Sequence, residues 1–542
     1  MYILGINGGV RAGYQDVSSV LLKDGEVVYA IAEERLNRKK HSSGQLPNLG
    51  IKEALSFANI KIQDVAYLAT HGSTWGQAYE VVLKEYFEYT FGYCPKIVRI
   101  HHHIAHAASA YYGSGFDKAM VLTMDASGDG ISMQKAIGNK GKLEVLEQIP
   151  RTNSLGIFYS IMTQFCGFTR DTDEYKLMGL APYGREGLIN LDEVLAVNQD
   201  SFTLNESFLK EMSPGAPQGS RQQAAFSAKL IKLLGPPKMP FQAMTQHYQD
   251  IAASTQAKLN EAIVNTVQQF HKSTGLRKLC LAGGVALNCE TNKHLMNLDF
   301  IDELFVQPAS GDDGISLGAA WYVSNEMGVA PVTSKNYYLG NSYTDTAIQD
   351  YLDLMNVNYK KNENVADRAA KLVGEDKVVA WFQGRDEFGP RALGARSILG
   401  NPCHPEMKAL MNAKIKFREG FRPFCPSVLA EDTKLHFEGK GTLSPYMTVN
   451  FNVKDPAKTP SITHVNNTAR IQTVEQNENP LFYEYLRNLK KEIGVGMSIN
   501  TSFNRNQEPM IHNPIEAVSA FYGSGMDALV IGNFILEKTN TR

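Results

Sequence analysis

Apolar runs alternate with glycine turns from the first residues. "YILGING" is apolar and turns into glycines, and "DVSSVLLKDGEVVYAIAEER" holds two extended runs joined at Asp24-Gly25, a strong hairpin signal. A weaker echo follows at 119–149. "AMVLTMDASGDG" reads as a strand ending in a glycine loop, and "QKAIGNKGKLEVLEQI" as a second hairpin around Asn139–Gly141. Two copies of strand, glycine loop and hairpin predict a duplicated α/β domain. Leu259, Ile263, Val267 and Phe270 step by four, four and three, which is one helical face and predicts a helix over 247–272. "KLCLAGGVALN" then gives a buried strand, a Gly-Gly turn and a new helix, and "FVQPASGDDGISLGAAWY" repeats the idea. Around 330–345 the pattern lapses into turn residues, which sets a boundary. The rest, 346–542, has its own strand ("KVVAWFQG"), a dense basic region and a late apolar strand ("DALVIGNF").

Composition changes this picture little. A chain of 542 residues is long enough for roughly three or four units. It is 43% hydrophobic and 20% charged, with a net charge of −2, so a nucleic-acid partner is disfavoured, because phosphate binding usually shows as basic excess. Cys94, Cys166, Cys280, Cys289, Cys403 and Cys425 are scattered with no CxxC and read as reduced thiols of a cytosolic protein. The N-terminus lacks a charged leader and a cleavage site. No apolar run of about 18 residues exists, so no membrane span is expected.

Candidate chemistry starts at 101–111, "HHHIAHAASAY", which places four of the chain's 13 histidines within six positions. His102 and His106 are four apart. On a helix both imidazoles leave one face a turn apart, as in other helical metal pairs; the bland reading is a pair of satisfied histidines. A divalent ion held by two imidazoles also wants oxygen ligands. Asp125 in "MDASGDG" and Asp312 in "SGDDGIS" each follow an apolar strand in a glycine loop, although aspartate in such a turn is also ordinary turn chemistry. "NGGVRAG", "AGGVALN" and "SGDDG" expose backbone N–H groups, and the last two open helices, an arrangement suited to phosphates.

From Gly384 to Arg422 eight lysines and arginines face four acids, a local excess of four positive charges in a chain of net −2. Several sit beside glycine or proline, as in "GPRALGARS" and "FREGFRPF". Such turns aim guanidinium forks at phosphate or carboxylate. A solvated charged face is the alternative, but Phe388, Phe417, Phe421 and Phe424 are interleaved. Arg470 in "NNTARIQTV" and the hydroxyl-rich "NTSFN" (500–504) would complete an anion pocket as donors.

At this point the sequence resembles the O-carbamoyltransferases of nodulation and antibiotic biosynthesis, the NodU/CmcH family. The matching stretches are "DVSSVLLKDGEVVYAIAEERLNRKKH", "HHHIAHAASA", "SLGIFYSIMT", "DEYKLMGLAPYG", "AGGVALN", "GRDEFGPRALGARSIL", "KFREGFRPFCPSVL" and "NTSFN", spread over nearly the whole chain. The resemblance implies an α/β fold: a duplicated actin-like, ribonuclease-H-like (ASKHA) domain over 1–335, of the kind seen in the threonylcarbamoyl-transfer protein, followed by an α+β YrdC-like domain over 346–542. It implies a divalent metal, iron as Fe2+, on His102, His106, Asp125 and Asp312, and nucleotide contacts at Lys176, Gly283, Gly284 and Asn288. In the second domain Arg391, Lys416, Arg422, Arg470, Thr501 and Ser502 would hold carbamoyl phosphate and nucleotide.

The implied reaction has two steps. Carbamoyl phosphate and ATP, with Mg2+, give carbamoyl adenylate in the YrdC-like domain, with Arg391 and Lys416 in catalytic roles. An acceptor hydroxyl then attacks the carbamoyl carbon in the actin-like domain and AMP leaves. The family usually carries a histidine just before the aspartate of the first glycine loop; here that position is Gln15, beside Asp16. A glutamine orients a hydroxyl but cannot take its proton at neutral pH. The base is therefore another group, with Asp16 the nearest, or the metal acidifies the hydroxyl, or the acceptor is unusual. A phosphotransferase of the sugar-kinase type and a non-catalytic homologue are the competing readings. The acceptor, a hydroxylated small molecule, is not readable from the residues. The expected protein is cytoplasmic, binds neither nucleic acid nor membrane, and leaves a homodimer open.

Overall fold

The computed structural model describes residues 1–9, 16–210, 223–441 and 443–538. The chain divides into two compact units: Met1–Glu33 with His41–Ser334, and Glu34–Lys40 with Lys335–Arg542.

The first unit is built on two sheets of the same topology. In the first, β1 (Tyr2–Asn7), β2 (Ser18–Lys23) and β3 (Glu26–Ala32) form an antiparallel meander, while β4 (Val65–Thr70) and β5 (Lys96–Arg99) add to β1 in parallel, giving the order β3-β2-β1-β4-β5. In the second, β6 (Lys118–Gly128), β7 (Ile131–Asn139) and β8 (Lys142–Pro150) form the meander. A small ribbon of β9 (Leu195–Val197) and β10 (Phe202–Leu204) intervenes. Strands β11 (Lys278–Ala282) and β12 (Glu303–Val306) then add in parallel to β6. The order β12-β11-β6-β7-β8 repeats that of the first sheet, so the duplication expected of an actin-like domain is present as topology.

Local chemistry accounts for the repeat. Both meanders turn through two left-handed residues, Asp24 (φ 51°) with Gly25 (φ 83°) and Lys140 (φ 48°) with Gly141 (φ 77°), the turn whose twist matches the flanking strands. Strands β1 and β11 are nearly wholly buried, as strands with parallel neighbours should be. The expected helix runs from Gln246 to Thr274, with Leu259, Ile263, Val267 and Phe270 all buried. One expectation is corrected: β6 does not stop before "DASGDG". It continues through Asp125 to Gly128, with its register breaking between Met124 and Gly128. That irregularity keeps the extended backbone while re-aiming the Asp125 side chain.

The second unit is α+β. Its strands are β13 (Lys360–Lys361), β14 (Val379–Phe382), β15 (Arg396–Gly400), β16 (Cys425–Leu429), β17 (Phe437–Glu438), β18 (Asn450–Val453), β19 (Thr468–Arg470), β20 (Gln472–Val474), β21 (Met497–Ser502), β22 (Ala528–Ile531) and β23 (Phe534–Glu537). Eight form a mixed sheet ordered β13-β23-β22-β14-β15-β21-β16-β20, and β17-β18-β19 form a smaller one. The apolar faces of the helices Val365–Gly374 and Pro480–Ile493 cover the large sheet through Trp381, Phe482, Tyr485 and Leu489. The segment Glu34–Lys40 belongs to this unit although it follows β3. Arg35 Nη2 donates to Gly389 O at 2.9 Å, and Arg38 Nη2 donates to Pro509 O at 2.8 Å. All six cysteines are free thiols. Among the described residues no helix is long and apolar enough to cross a membrane.

Candidate functional site

The helix His102–Ser114 starts at a well-capped end. His101 Nδ1 accepts from the His103 N–H at 3.2 Å, and Asp129 Oδ2 accepts from the His102 N–H at 2.8 Å. One helical turn sets His102 and His106 on one face, ring centroids 4.7 Å apart. Facing them are Asp125, from the irregular end of β6, and Asp312, at the start of the helix Asp313–Glu326. Nε2 of each histidine lies 3.3 Å from Asp125 Oδ2, and the two lie 3.7 and 3.5 Å from Asp312 Oδ1. One ligand atom from each of the four side chains lies within 4.8 Å of all the others.

The electrostatics favour a cation there. Burial disfavours charge on His106, yet Asp125 and Asp312 outweigh it and hold the imidazole up to about 9. Burial alone would raise Asp125, but His102 and His106 hold it well below the usual carboxylate range. Asp312 is raised, by burial and by the charge of Asp125. Two imidazoles and two carboxylates at this separation are a donor set that fits a divalent first-row ion. The surroundings keep the set in place. His103 Nδ1 meets Thr123 Oγ1 at 2.7 Å. His71, held neutral by burial and by the neighbouring His102, packs edge-on against His102 at 5.3 Å and against Trp75 at 4.7 Å.

In the second unit Lys416 meets Ser502, beside Thr501, at the C-terminal end of β21. Lys416 is buried on a wide π-helical turn, Asn412–Lys416, which Phe417 ends with φ 45°. Its Nζ donates to Ser502 O at 2.5 Å, Asn504 Oδ1 at 2.8 Å and Asn504 O at 3.0 Å. Burial, then the charges of Arg418 and Arg422, push the ammonium well below the ordinary lysine value. Arg422 pairs with Glu419 at 3.5 Å. Arg470 Nη2 donates to Cys425 Sγ at 3.0 Å, and Cys425 faces Asn500 across the β16–β21 pairing. Thr501 and Ser502 face Ile398 and Ser397 of β15. Asn500 Nδ2 reaches back to Ala392 O at 3.2 Å, which ties down the residue next to Arg391.

Comparison with known proteins decides the family. The carbamoyltransferase N-terminus model matches residues 70–321 and the carbamoyltransferase C-terminus model residues 370–538. Nodulation protein NolNO of Sinorhizobium fredii is 34% identical over 99% of this chain and 83% of its own length. Nodulation protein NolO of Bradyrhizobium diazoefficiens is 36% identical over 81% of this chain and 79% of its own. The chain belongs to the carbamoyltransferase family. A third relative, the 3'-hydroxymethylcephem-O-carbamoyltransferase of Amycolatopsis lactamdurans, is 30% identical over 47% of this chain and 48% of its own.

Other expected residues of this carbamoyltransferase are placed as follows. Gly283 has φ 91° and donates its N–H to Ser310 O at 2.8 Å; a Cβ there would lie 2.2 Å from Met124 O. A Cβ on Gly284 would lie 3.3 Å from Asp125 Oδ1. The Gly-Gly turn therefore brings bare backbone against Asp125, one of the four residues that could hold a metal ion. Asn288 commits its side chain to the protein. Its Oδ1 accepts from Thr291 N at 3.0 Å and its Nδ2 donates to Gln256 Oε1 at 2.9 Å. Lys176 Nζ pairs with Asp173 Oδ1 at 3.1 Å. Gln15 lies outside the described residues, while Asp16 is described and half-exposed.

The arginines of the basic run differ in their partners. Arg396 is buried, pairs with Asp386 at 2.5 Å and stacks on Phe382; Asp386 also takes His512 Nδ1 at 2.6 Å. Arg385 donates to Gly340 O at 2.8 Å. These two arginines are engaged by the protein's own backbone and by Asp386. Glu387, counted only as an offsetting charge, accepts from the Leu393, Ala395 and Arg396 N–H groups at 2.8, 2.8 and 3.0 Å. One buried carboxylate thus fixes the loop that carries Arg391. Phe388 and Phe424 are buried and Phe417 is exposed. Sequence reasoning also gave no part to His71, Asp129 or His41.

Proposed function

We propose that this carbamoyltransferase forms carbamoyl adenylate from carbamoyl phosphate and ATP in its second unit and transfers the carbamoyl group to a hydroxyl of a small-molecule acceptor in its first. What carries the reading is the convergence of His102, His106, Asp125 and Asp312 within 4.8 Å in a duplicated fold that also bears the family signature. In the second unit Lys416, Arg391, Arg422 and Arg470, with the Thr501 and Ser502 hydroxyls, offset the phosphate charge as the adenylate forms, the kind of fixed electrostatics that lowers such barriers most. In the first, the four-residue cluster would hold a divalent ion, Fe2+ by the family resemblance, which supplies Lewis acidity toward the mixed anhydride. Asp125 and the bare Gly283–Gly284 turn shape the floor beside it.

The test is a product assay with carbamoyl phosphate, ATP, Mg2+ and a panel of sugars, macrolides and cephems bearing hydroxyls. AMP, pyrophosphate and an acceptor heavier by one carbamoyl group support the reading. ADP in place of AMP would assign the chain to phosphotransfer, and intact ATP would assign it to a non-catalytic role.

A further inference from the structure

We infer that Ser154 is the residue that positions Asp125 for metal binding; this rests on the reading above that the four-residue cluster holds a divalent ion. Asp125 Oδ2 lies 3.3 Å from Nε2 of both His102 and His106. Its other oxygen, Oδ1, accepts from the Ala126 N–H at 2.7 Å. That bond selects which carboxylate oxygen faces the imidazoles. Whatever fixes the Ala126 N–H therefore fixes the oxygen offered to the ion.

Ser154 does so from a different element. The peptide between Asp125 and Ala126 is a rigid plane, with the Asp125 carbonyl at one end and the Ala126 N–H at the other. The Ser154 hydroxyl lies 3.2 Å from Asp125 O and 2.8 Å from Ala126 O, and its single proton is shared between them. The register of β6 breaks between Met124 and Gly128, which releases these carbonyls from the ladder. The hydroxyl takes the place of the missing strand partner. Gly156, two residues further on, closes the face of the same plane: a Cβ there would lie 2.6 Å from Ala126 N and 2.8 Å from the Asp125 carbonyl carbon. The path is short. It runs from the hydroxyl to the carbonyl, through one plane to the N–H, from there to Oδ1, and so sets Oδ2 against the histidines.

The plainer role for Ser154 is helix capping. It is the N-cap of the helix Leu155–Phe165, where its Oγ accepts from the Ile157 N–H at 3.0 Å. Capping uses only an oxygen lone pair. The proton is surplus to it, and a buried hydroxyl proton needs an acceptor. Ser154 is fully buried, and its proton goes to the two carbonyls beside the ligand. Cap and grip are separate halves of one hydroxyl. Glycine tells them apart, because it serves nearly as well at an N-cap but has nothing to donate. Ser154 acts through Asp125, as the outer partners of metal ligands do elsewhere; their loss weakens metal binding by about 10–100-fold.

The experiment is a Co2+ titration of the full chain stripped of metal, read by the visible absorption of bound cobalt, with thermal melts alongside. His106→Ala, which removes one imidazole, identifies the band that belongs to the cluster. Ser154→Gly and Ser154→Ala should weaken Co2+ binding alike, by about 10–100-fold, and should shift the band. Ser154→Ala, which loses the cap as well, should nevertheless melt lower than Ser154→Gly. Wild-type affinity and an unshifted band in Ser154→Gly would overturn the assignment and reduce Ser154 to a cap. So would affinities that follow the melting order, with Ser154→Gly close to wild type and only Ser154→Ala weakened. Absence of a cobalt band in the wild type, or its survival in His106→Ala, would instead overturn the metal reading itself.

Discussion

Gly128 and His102 compete for one volume: a Cβ on Gly128 would sit 2.0 Å from Cδ2 of the His102 ring. The position has no left-handed backbone requirement, so the demand for glycine there is one of space alone. Gly128→Ala should displace the His102 imidazole and cut the bound metal well below one ion per chain, although all four ligands remain. Metal analysis of the purified variant, with circular dichroism to show an intact fold, checks this. Stoichiometric metal in Gly128→Ala would show that His102 is not a ligand.

Lys416 Nζ donates to three closely placed oxygens of Ser502 and Asn504. Lys416→Met should lower carbamoyl-phosphate-dependent pyrophosphate exchange by about 100-fold or more, as the loss of one fixed hydrogen-bond donor does elsewhere. Lys416→Arg should not restore it, because a planar fork does not fit a buried pocket shaped for an ammonium. Full exchange in either variant would remove Lys416 from the chemistry.

Glu174 gives a pH signature that does not involve metal. Burial, then the charge of Asp171, raises its carboxyl to about 7 from an ordinary 4.5. The folded chain therefore binds more protons than the unfolded one across that interval, and stability falls as pH rises. The contribution is complete below about 4.5 and lost as pH rises through about 7. Oε1 accepts from the Asp171 N–H at 2.6 Å, a bond a glutamine carbonyl can keep. Glu174→Gln should raise the thermal midpoint above neutrality relative to wild type and leave it nearly unchanged at pH 4.5. Melts at several pH values decide this; an equal effect at every pH would discount the titration.

Gly318 lets two site-bearing helices touch. A Cβ there would lie 1.8 Å from Ala105 O on the histidine helix, a backbone atom that cannot swing away. Gly318→Ala should cost about 1–3 kcal/mol, the usual range for overpacking, and should lower metal affinity as well, because the helices carry His106 and adjoin Asp312. A destabilised variant with wild-type metal affinity would separate the two effects and reject the second.

The legible part of this molecule was the part written in short-range pattern. The i, i+4 spacing of His102 and His106, the two hairpin turns and the face of the helix Gln246–Thr274 each follow from residues within a few turns of one another. Asp125 was found through its strand although its backbone does not leave the strand as expected, because an apolar run ending in Asp and Gly fixes where a carboxylate goes more firmly than how it gets there. The contact of Asp16 Oδ1 with His41 Nδ1, at 2.6 Å, was hidden: it needs left-handed backbone at two residues with no glycine to announce it. The split of the basic run into Arg385 and Arg396 against the rest was hidden too. Arginines beside Gly and Pro look alike until burial and an aspartate such as Asp386 separate them. Asn288 carries a family motif, yet its amide is spoken for by Gln256, a partner 32 residues earlier.

The seven residues Glu34–Lys40 have a consequence for anyone dissecting the protein. A fragment beginning at Lys335 would lose Arg35, whose guanidinium stands 3.9 Å from the fully buried Glu387, and would leave that carboxylate held by its three backbone N–H donors but without the opposite charge beside Oε2; losing one partner of a buried ion pair typically costs about 3–5 kcal/mol. The half-gene would yield an insoluble or restless product, and a short synthetic peptide spanning the missing stretch, added in trans, should rescue it. A cut at position 334 therefore does not separate the two units, since one is threaded through the primary structure of the other.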